Sequence, residues 1–123
     1  MRKSVAVAPL LLMLFLFLAG TAWPQAGVGS VRGVVRDQTQ AMIPGATVEV
    51  TNKAMGTKIS LVTNDQGFYQ ATYLLPGLYR IEVQMPSFKK FLRDDVEVRI
   101  NDRLEVNIKL EVGQLTEVIT VTG

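Results

Sequence analysis

The chain has 123 residues, enough for one small domain, and it contains no His and no Cys. The absence of both residue types excludes Ser-His-Asp and Cys-His catalysis, the usual zinc ligands and any disulfide bond. Its 13 Lys or Arg and 11 Asp or Glu give a net charge of +2, and Arg2 and Lys3 account for this excess. The rest of the chain is neutral, so its charge does not indicate a nucleic-acid partner.

The first 26 residues have the layout of a secretory signal peptide. A basic start is followed by the apolar run at residues 5–18 and then by small residues that include Ala22 and Ala26. The apolar run is shorter than the roughly 20 residues of a spanning helix, although an uncleaved N-terminal anchor is an alternative. We therefore expect export, with cleavage after Ala22 or Ala26. Without Cys, the segment is not a lipoprotein signal.

From residue 27 onward, the recurring pattern is alternation with period two, broken by Gly, Pro, Asn and Asp. Residues 31–36 alternate first, and a connection then ends in Pro44-Gly45. Residues 46–51 form the next predicted strand, with its small and apolar side chains on one face. Residues 58–63 form another, whose facing is unclear because Leu61 and Val62 are adjacent.

A meander follows. Residues 64–67, Asn-Asp-Gln-Gly, predict a turn, because Asn and Asp tolerate a left-handed backbone and Gly supplies positive φ. Beyond this turn, Tyr69 and Ala71 should face the core. Residues 76–77, Pro-Gly, predict a second turn. The following alternation indicates a half-buried antiparallel strand whose core residues are Tyr79, Ile81 and Val83.

The C-terminal third continues the alternation. Phe88, Phe91 and Leu92 form an apolar patch in the sequence. We expect Phe68, Phe88 and Phe91 to seal one end of the fold, and the alternative is an exposed interaction patch. Two further alternating segments follow, with predicted inward residues Val96, Val98, Ile100, Leu104, Val106, Ile108 and Leu110. About seven short strands at this spacing indicate an all-β sandwich.

Few residues offer chemistry. Asp94 and Asp95 could bind Ca²⁺ or act as acid and base, but neighbours on a strand point to opposite faces, so we expect a solvated loop. A Lys53 or Lys58 isopeptide bond with Asn107 has no support in the spacing. The turn at residues 64–67 lacks the remaining ligands of a calcium loop. We predict no catalytic residue, no cofactor and no metal site, and hence no enzyme.

The order and spacing of several short motifs resemble the carboxypeptidase regulatory-like domain family. Ser87 departs from its usual pattern, which has Gly before the aromatic residue. The resemblance implies a seven-stranded Greek-key sandwich of the transthyretin (prealbumin) type at residues 27–112, and it does not imply peptidase activity. The motifs are Gly-Val-Val-Arg-Asp at 33–37, Ile-Pro-Gly-Ala-Thr-Val at 43–48, Thr-Asn-Asp-Gln-Gly-Phe-Tyr at 63–69, Leu-Leu-Pro-Gly-Leu-Tyr-Arg-Ile-Glu-Val at 74–83 and Pro-Ser-Phe at 86–88.

Residues 113–123 resemble the extended segment that follows this domain in Oar-like TonB-dependent outer-membrane receptors. Such a segment, a TonB box, can add as a strand to a partner's sheet. The alternative is the last strand of the sandwich or a linker. We expect the sandwich to fold without residues 114–123, and the predicted partner-binding residues are Glu117, Val118, Ile119, Thr120, Val121 and Thr122.

The resemblance implies a non-enzymatic periplasmic module, the N-terminal part of a TonB-dependent receptor that serves scaffolding or partner contact. Its partner would be a periplasmic energy-coupling protein or the rest of the receptor. It would meet the membrane only through that larger receptor, on the periplasmic side of the outer membrane. The alternatives are a stand-alone carbohydrate-binding-like module, which an exposed row of aromatic residues would favour, and an accessory domain of a hydrolase.

Overall fold

The computed structural model describes residues 27–122, so the predicted signal peptide and both of its cleavage points lie outside the described residues. Within this range the chain forms strands and turns, and it has no helix long and apolar enough to cross a membrane. The nine strands are β1 (Gly29–Arg36), β2 (Thr47–Asn52), β3 (Lys58–Val62), β4 (Phe68–Leu74), β5 (Gly77–Gln84), β6 (Lys90–Val98), β7 (Arg103–Glu105), β8 (Ile108–Lys109) and β9 (Val118–Thr122).

The strands form two sheets, which confirms the predicted all-β sandwich, although residues 27–122 form nine strands where seven were predicted. One sheet has the order β4-β1-β7, with β8 also pairing to β1, and the other has the order β3-β2-β5-β6-β9. Pairing is antiparallel except where β7 and β8 meet β1 and where β9 meets β6. The single strand predicted across residues 104–110 is divided into β7 and β8, because the backbone between them leaves the ladder.

One core lies between the sheets, and the period-two pattern placed most of its residues correctly. The buried apolar residues include Val31, Val35, Ala46, Val48, Val50, Tyr69, Ala71, Tyr79, Ile81, Val83, Val96, Val98, Val106, Ile108 and Leu110. Ile100 differs from its prediction, with 60% of its surface exposed. β6 ends at Val98, and Ile100 lies in the turn that precedes β7, so the alternation no longer applies to it.

The turn between β3 and β4 forms as the sequence predicts. The side-chain oxygen of Asn64 accepts hydrogen bonds from the backbone N–H groups of Gln66 and Phe68, each at 3.0 Å. Gly67 adopts the positive φ of +72° that the turn requires, and its N–H donates to the Asn64 carbonyl at 2.9 Å. This turn links β3 of the larger sheet to β4 of the other sheet, and β5 returns to the larger sheet, so the predicted meander of sequentially paired strands is wrong.

Candidate functional site: the β6 edge and the tail strand

The C-terminal tail lies along the edge of the larger sheet. β9 pairs in parallel with the first half of β6, in a register that runs from Lys90 opposite Val118 to Asp94 opposite Thr122. The backbone N–H of Lys90 also donates to the Glu117 carbonyl at 2.8 Å. The sequence predicted a tail separate from the sandwich, whereas the structure places all six predicted partner-binding residues beside β6. The tail is thus docked as an edge strand, the arrangement that the sequence left open as the alternative.

The docked tail strand contributes few side chains to the core. Val118 keeps 52% of its surface exposed and Val121 keeps 40%. Ile119 is half-buried and lies opposite the buried Phe91. The pairing therefore depends mainly on backbone hydrogen bonds, and two apolar side chains of β9 remain available to another surface.

Charges near the start of the tail add only weak attachment. The Lys89 Nζ atom lies 3.4 Å from a carboxylate oxygen of Glu117 and 3.9 Å from one of Glu111. All three side chains are partly or largely exposed to solvent, and exposed ion pairs of this kind contribute little to stability.

Arg93 occupies an inward position that the sequence analysis did not identify as functional. It lies between Ile81 of β5 and Val121 of β9, and its Nε atom is buried without a hydrogen-bond partner. None of the ion pairs found within residues 27–122 includes Arg93. The sequence contained a signal for this inward-facing cation. Arg93 lies two residues after Phe91, so on a regular strand both side chains point to the same, core-facing side.

Tyr69, on the opposite sheet, faces the same interior. Burial raises the pKa of its hydroxyl above the ordinary range, and the positive charge of Arg93 opposes that rise. The hydroxyl donates a hydrogen bond of 2.6 Å to the Val106 carbonyl. This tyrosine is thus a neutral structural group and offers no acid or base for catalysis at ordinary pH.

Asp94 and Asp95 lie within β6, so the predicted solvated loop is wrong. Two residues, rather than one, separate the inward-facing Arg93 and Val96, and this bulge shifts the register against β5. Asp95 adopts a φ of 55°, and both carboxylates contact the Lys53 Nζ atom, at 2.9 Å for Asp94 and 2.6 Å for Asp95. The side chains therefore converge, contrary to the expectation for neighbours on a regular strand.

Electrostatics identify this cluster as an ion-pair network. Hydrogen bonds from Lys53 and then Arg80 lower the pKa of Asp94 to about 2, so its carboxylate stays ionised at neutral pH. The Asp95 and Asp94 carboxylates in turn raise the pKa of Lys53. Among the described residues, no group of three or more acidic side chains is arranged to hold a metal ion.

The other candidate groups do not converge on a site. The Asn107 side-chain oxygen accepts a hydrogen bond from the Val34 N–H at 3.0 Å, so the structure does not bring it together with Lys53. Phe91 is buried and Phe88 packs against the core, in agreement with their predicted sealing role. Tyr73, 81% exposed beside a cleft of about 170 Å³, is the only aromatic among the strongly exposed apolar residues in the range 27–122. An exposed row of aromatics is therefore not seen there.

The two-sheet architecture and the edge strand define a β-sandwich module, and comparison with known sequences identifies its family. The family model described as "Carboxypeptidase regulatory-like domain" matches residues 30–111, so the chain belongs to this family. The chain is also 31% identical over 96 residues to the TonB-dependent transporter Oar of Myxococcus xanthus. That match covers 76% of this chain and only 9% of the transporter. The predicted family and the predicted relation to Oar-like transporters are confirmed, whereas the resemblance of residues 113–123 to a TonB box stays a prediction.

Solved structures support the fold. The Bacillus anthracis TIE protein superposes with a TM-score of 0.60 at 21% identity, over 70% of this chain and 17% of that chain. A putative carbohydrate binding protein from Bacteroides uniformis superposes with a TM-score of 0.56 at 19% identity, over 68% of this chain and 41% of that chain. At these identities the similarity shows a shared architecture and does not transfer a ligand.

Proposed function

We propose that this chain is a non-enzymatic periplasmic module that forms the N-terminal part of a TonB-dependent outer-membrane receptor. Its sandwich serves as the scaffold, and its tail contacts a periplasmic energy-coupling protein by strand addition. The similarity to the Myxococcus xanthus transporter supports the receptor context. The chain covers a small share of that transporter, so transport itself belongs to parts outside this segment.

The position of β9 at the end of the sheet order is the observation that carries the proposal. One side of β9 pairs with β6, and within the described residues no strand covers the other side. An edge strand with free backbone groups is a template for another strand. In strand addition, backbone hydrogen bonds supply the affinity and alternate side chains supply the selectivity. Val118 and Val121 are the exposed apolar side chains that would supply it here.

The test measures binding of the protein to the periplasmic domain of an energy-coupling protein of the TonB type. Replacing both exposed valines of β9, in the variant Val118→Lys with Val121→Lys, should weaken binding about tenfold or more, equivalent to about 1.4 kcal/mol. The matched control places the same charges on the opposite edge of the sheet, in the variant Ile59→Lys with Val62→Lys, where both residues are also exposed.

Deletion of residues 114–123 provides the second arm. The sandwich should keep its cooperative unfolding transition, because the removed segment contains none of the fully buried core residues. Binding to the energy-coupling domain should be lost. Binding that survives both the deletion and the double lysine substitution would exclude the tail as the contact.

A further inference from the structure

We infer that the first half of β6, Lys90–Asp94, is a strand-docking site that β9 occupies reversibly, so that the sandwich competes with the partner for its own tail. The contacts of this chain alone support reversible docking of β9 on β6. Competition between β6 and a partner for β9 also rests on the proposed function, which supplies the partner.

The attachment of β9 to β6 differs from that of β5. β5, on the opposite side of β6, inserts Tyr79, Ile81 and Val83 into the core. Within residues 27–122, the β6–β9 pairing is the one parallel pairing of this sheet. β9 has a neighbour on one side, and most of its side chains are exposed. Elements with few buried apolar contacts and exposed backbone hydrogen bonds are the first to open in a folded protein.

Arg93 makes the docked state less favourable. Its buried Nε atom has no acceptor, and the residue opposite it on β9 is Val121, whose side chain offers none. A buried donor without a partner is unfavourable, and more so when it belongs to a charged group. Departure of β9 opens this edge of the sheet and lets water reach the guanidinium. The pairing of β9 with β6 is therefore weak where Val121 lies opposite Arg93.

The chain before β9 is anchored, so the tail can leave without unfolding the sandwich. Leu110 is fully buried, and its N–H donates to the Arg36 carbonyl at 2.8 Å. Val112 forms an isolated bridge with Phe88. Beyond Gly113, the turn closed by the Glu117 N–H and the Gln114 carbonyl links this anchor to β9. Opening is thus confined to the segment after residue 113.

Reversible docking has a direct effect on recognition. While β9 pairs with β6, the backbone groups on that side of the tail are occupied. The free side of docked β9 stays open to a first contact, but a partner that takes β9 fully into its own sheet needs both sides of the strand and binds only the released fraction, so its apparent affinity falls in proportion to that fraction. The strength of the β6–β9 pairing thereby sets the fraction of the tail that is free to bind the partner.

Hydrogen exchange in the full protein tests the docking site. The β9 amides that point toward β6 should exchange about 100-fold or more faster than those of β5, because β9 opens locally while β5 opens only with the whole domain. Equal protection of β9 and β5 would overturn the inference.

The role of Arg93 has its own test. The variant Val121→Glu supplies an acceptor opposite the guanidinium and should slow exchange of the β9 amides about tenfold. The same substitution in an Arg93→Met background should not slow it. Slowing of equal size in both backgrounds would show that Arg93 does not weaken the docking of β9.

A disulfide lock tests the competition. Leu92 and Thr120 lie opposite each other on the outer face, and the chain has no Cys, so Leu92→Cys with Thr120→Cys forms a unique pair. Oxidation should slow β9 exchange and weaken binding to the energy-coupling domain about tenfold, and reduction should restore both. The matched control joins β2 to β3 through Glu49→Cys and Ser60→Cys, which also lie opposite each other.

The outcomes separate the two proposals. Equal binding by the locked and reduced forms would refute the competition and leave the tail contact in place. If neither form nor the unaltered protein binds the energy-coupling domain, the proposed function is refuted. The exchange rates of β9 would then be the remaining test of whether β9 docks reversibly on β6.

Discussion

Replacing Gly33 with alanine should destabilise the protein more than any other single-methyl change at a glycine of the sandwich interior. A Cβ atom built on Gly33 would lie 1.8 Å from the Val106 carbonyl oxygen and 2.6 Å from its carbon. It would also lie 3.1 Å from the ring of Tyr69. The chain between β7 and β8 passes directly over this glycine, and backbone atoms cannot move aside as the end of a flexible side chain can.

The magnitude follows from the contacts that hold Val106 in place. Its N–H donates to the Arg32 carbonyl at 2.8 Å, and its carbonyl accepts the Tyr69 hydroxyl at 2.6 Å. Moving this backbone by more than 1 Å strains both hydrogen bonds, each worth about 1 kcal/mol net. Overpacking a close-packed interior adds about 1–3 kcal/mol. We therefore expect Gly33→Ala to lower the free energy of unfolding by about 3–5 kcal/mol.

Urea denaturation of the purified protein measures this loss, with Gly45→Ala as the matched control. Gly45 has a φ of +77° and nothing within 4 Å of a built Cβ, so its substitution reports backbone strain without a clash. That strain costs about 1–2 kcal/mol. Equal losses for the two variants would show that the β7–β8 connection does not press on β1 at Gly33, and the close approach described above would be refuted.

Three further predictions concern the core and its charged rim. Ile81→Ala should cost about 2–5 kcal/mol in urea denaturation, because the side chain is fully buried, and a loss below about 0.5 kcal/mol would contradict its inward assignment. Tyr69→Phe should cost about 1–3 kcal/mol in the same assay, because the Val106 carbonyl loses its donor. Hydrogen bonds from Lys53 and then Arg80 lower the pKa of Asp94 from 3.8 to about 2, so the stabilisation from this carboxylate is complete above its unfolded value and is lost as pH falls through this range. Acid titration of Asp94→Asn should show a shallower decline there, and an unchanged profile would contradict the ion pair.

The sequence predicted the fold well where one face of a strand meets the core and the other meets solvent. β5 is the clearest case, since Tyr79, Ile81 and Val83 are all buried and alternate with more exposed side chains. Such alternation is a local signal, and it needs no knowledge of the neighbouring strands. The turn at residues 64–67 was predictable for the same reason, because Asn64 and Gly67 interact mainly with their own neighbours.

The bulge in β6 could not be predicted in this way. Strict alternation places Asp94 and Asp95 on opposite faces. Only the register against β5, in which Ile81 pairs with Arg93 and Tyr79 with Val96, shows that β6 has one extra residue at this point. A bulge depends on which residues pair across two strands, so its cause lies in contacts distant in sequence. The convergence of both carboxylates on Lys53 was inaccessible for that reason.

The tail presented a different difficulty. Glu117, Ile119 and Val121 share one parity, and this mixture of charged and apolar residues does not specify a buried face. The structure agrees with this ambiguity, because β9 is paired through its backbone and yet remains mostly exposed. This mixed pattern suits a strand that can pair with either of two sheets, because a strongly apolar face would favour burial against one of them.

The motifs that identify the family mostly maintain the fold, and this explains why they did not reveal the site. Gly33 admits the chain that crosses β1, and a Cβ at Gly67 would lie 2.7 Å from the Val35 carbonyl oxygen. Selection for these contacts preserves the sandwich whatever it binds. β9 lies beyond the family match, which ends at residue 111. The family motifs therefore report on the sandwich and carry no information about β9.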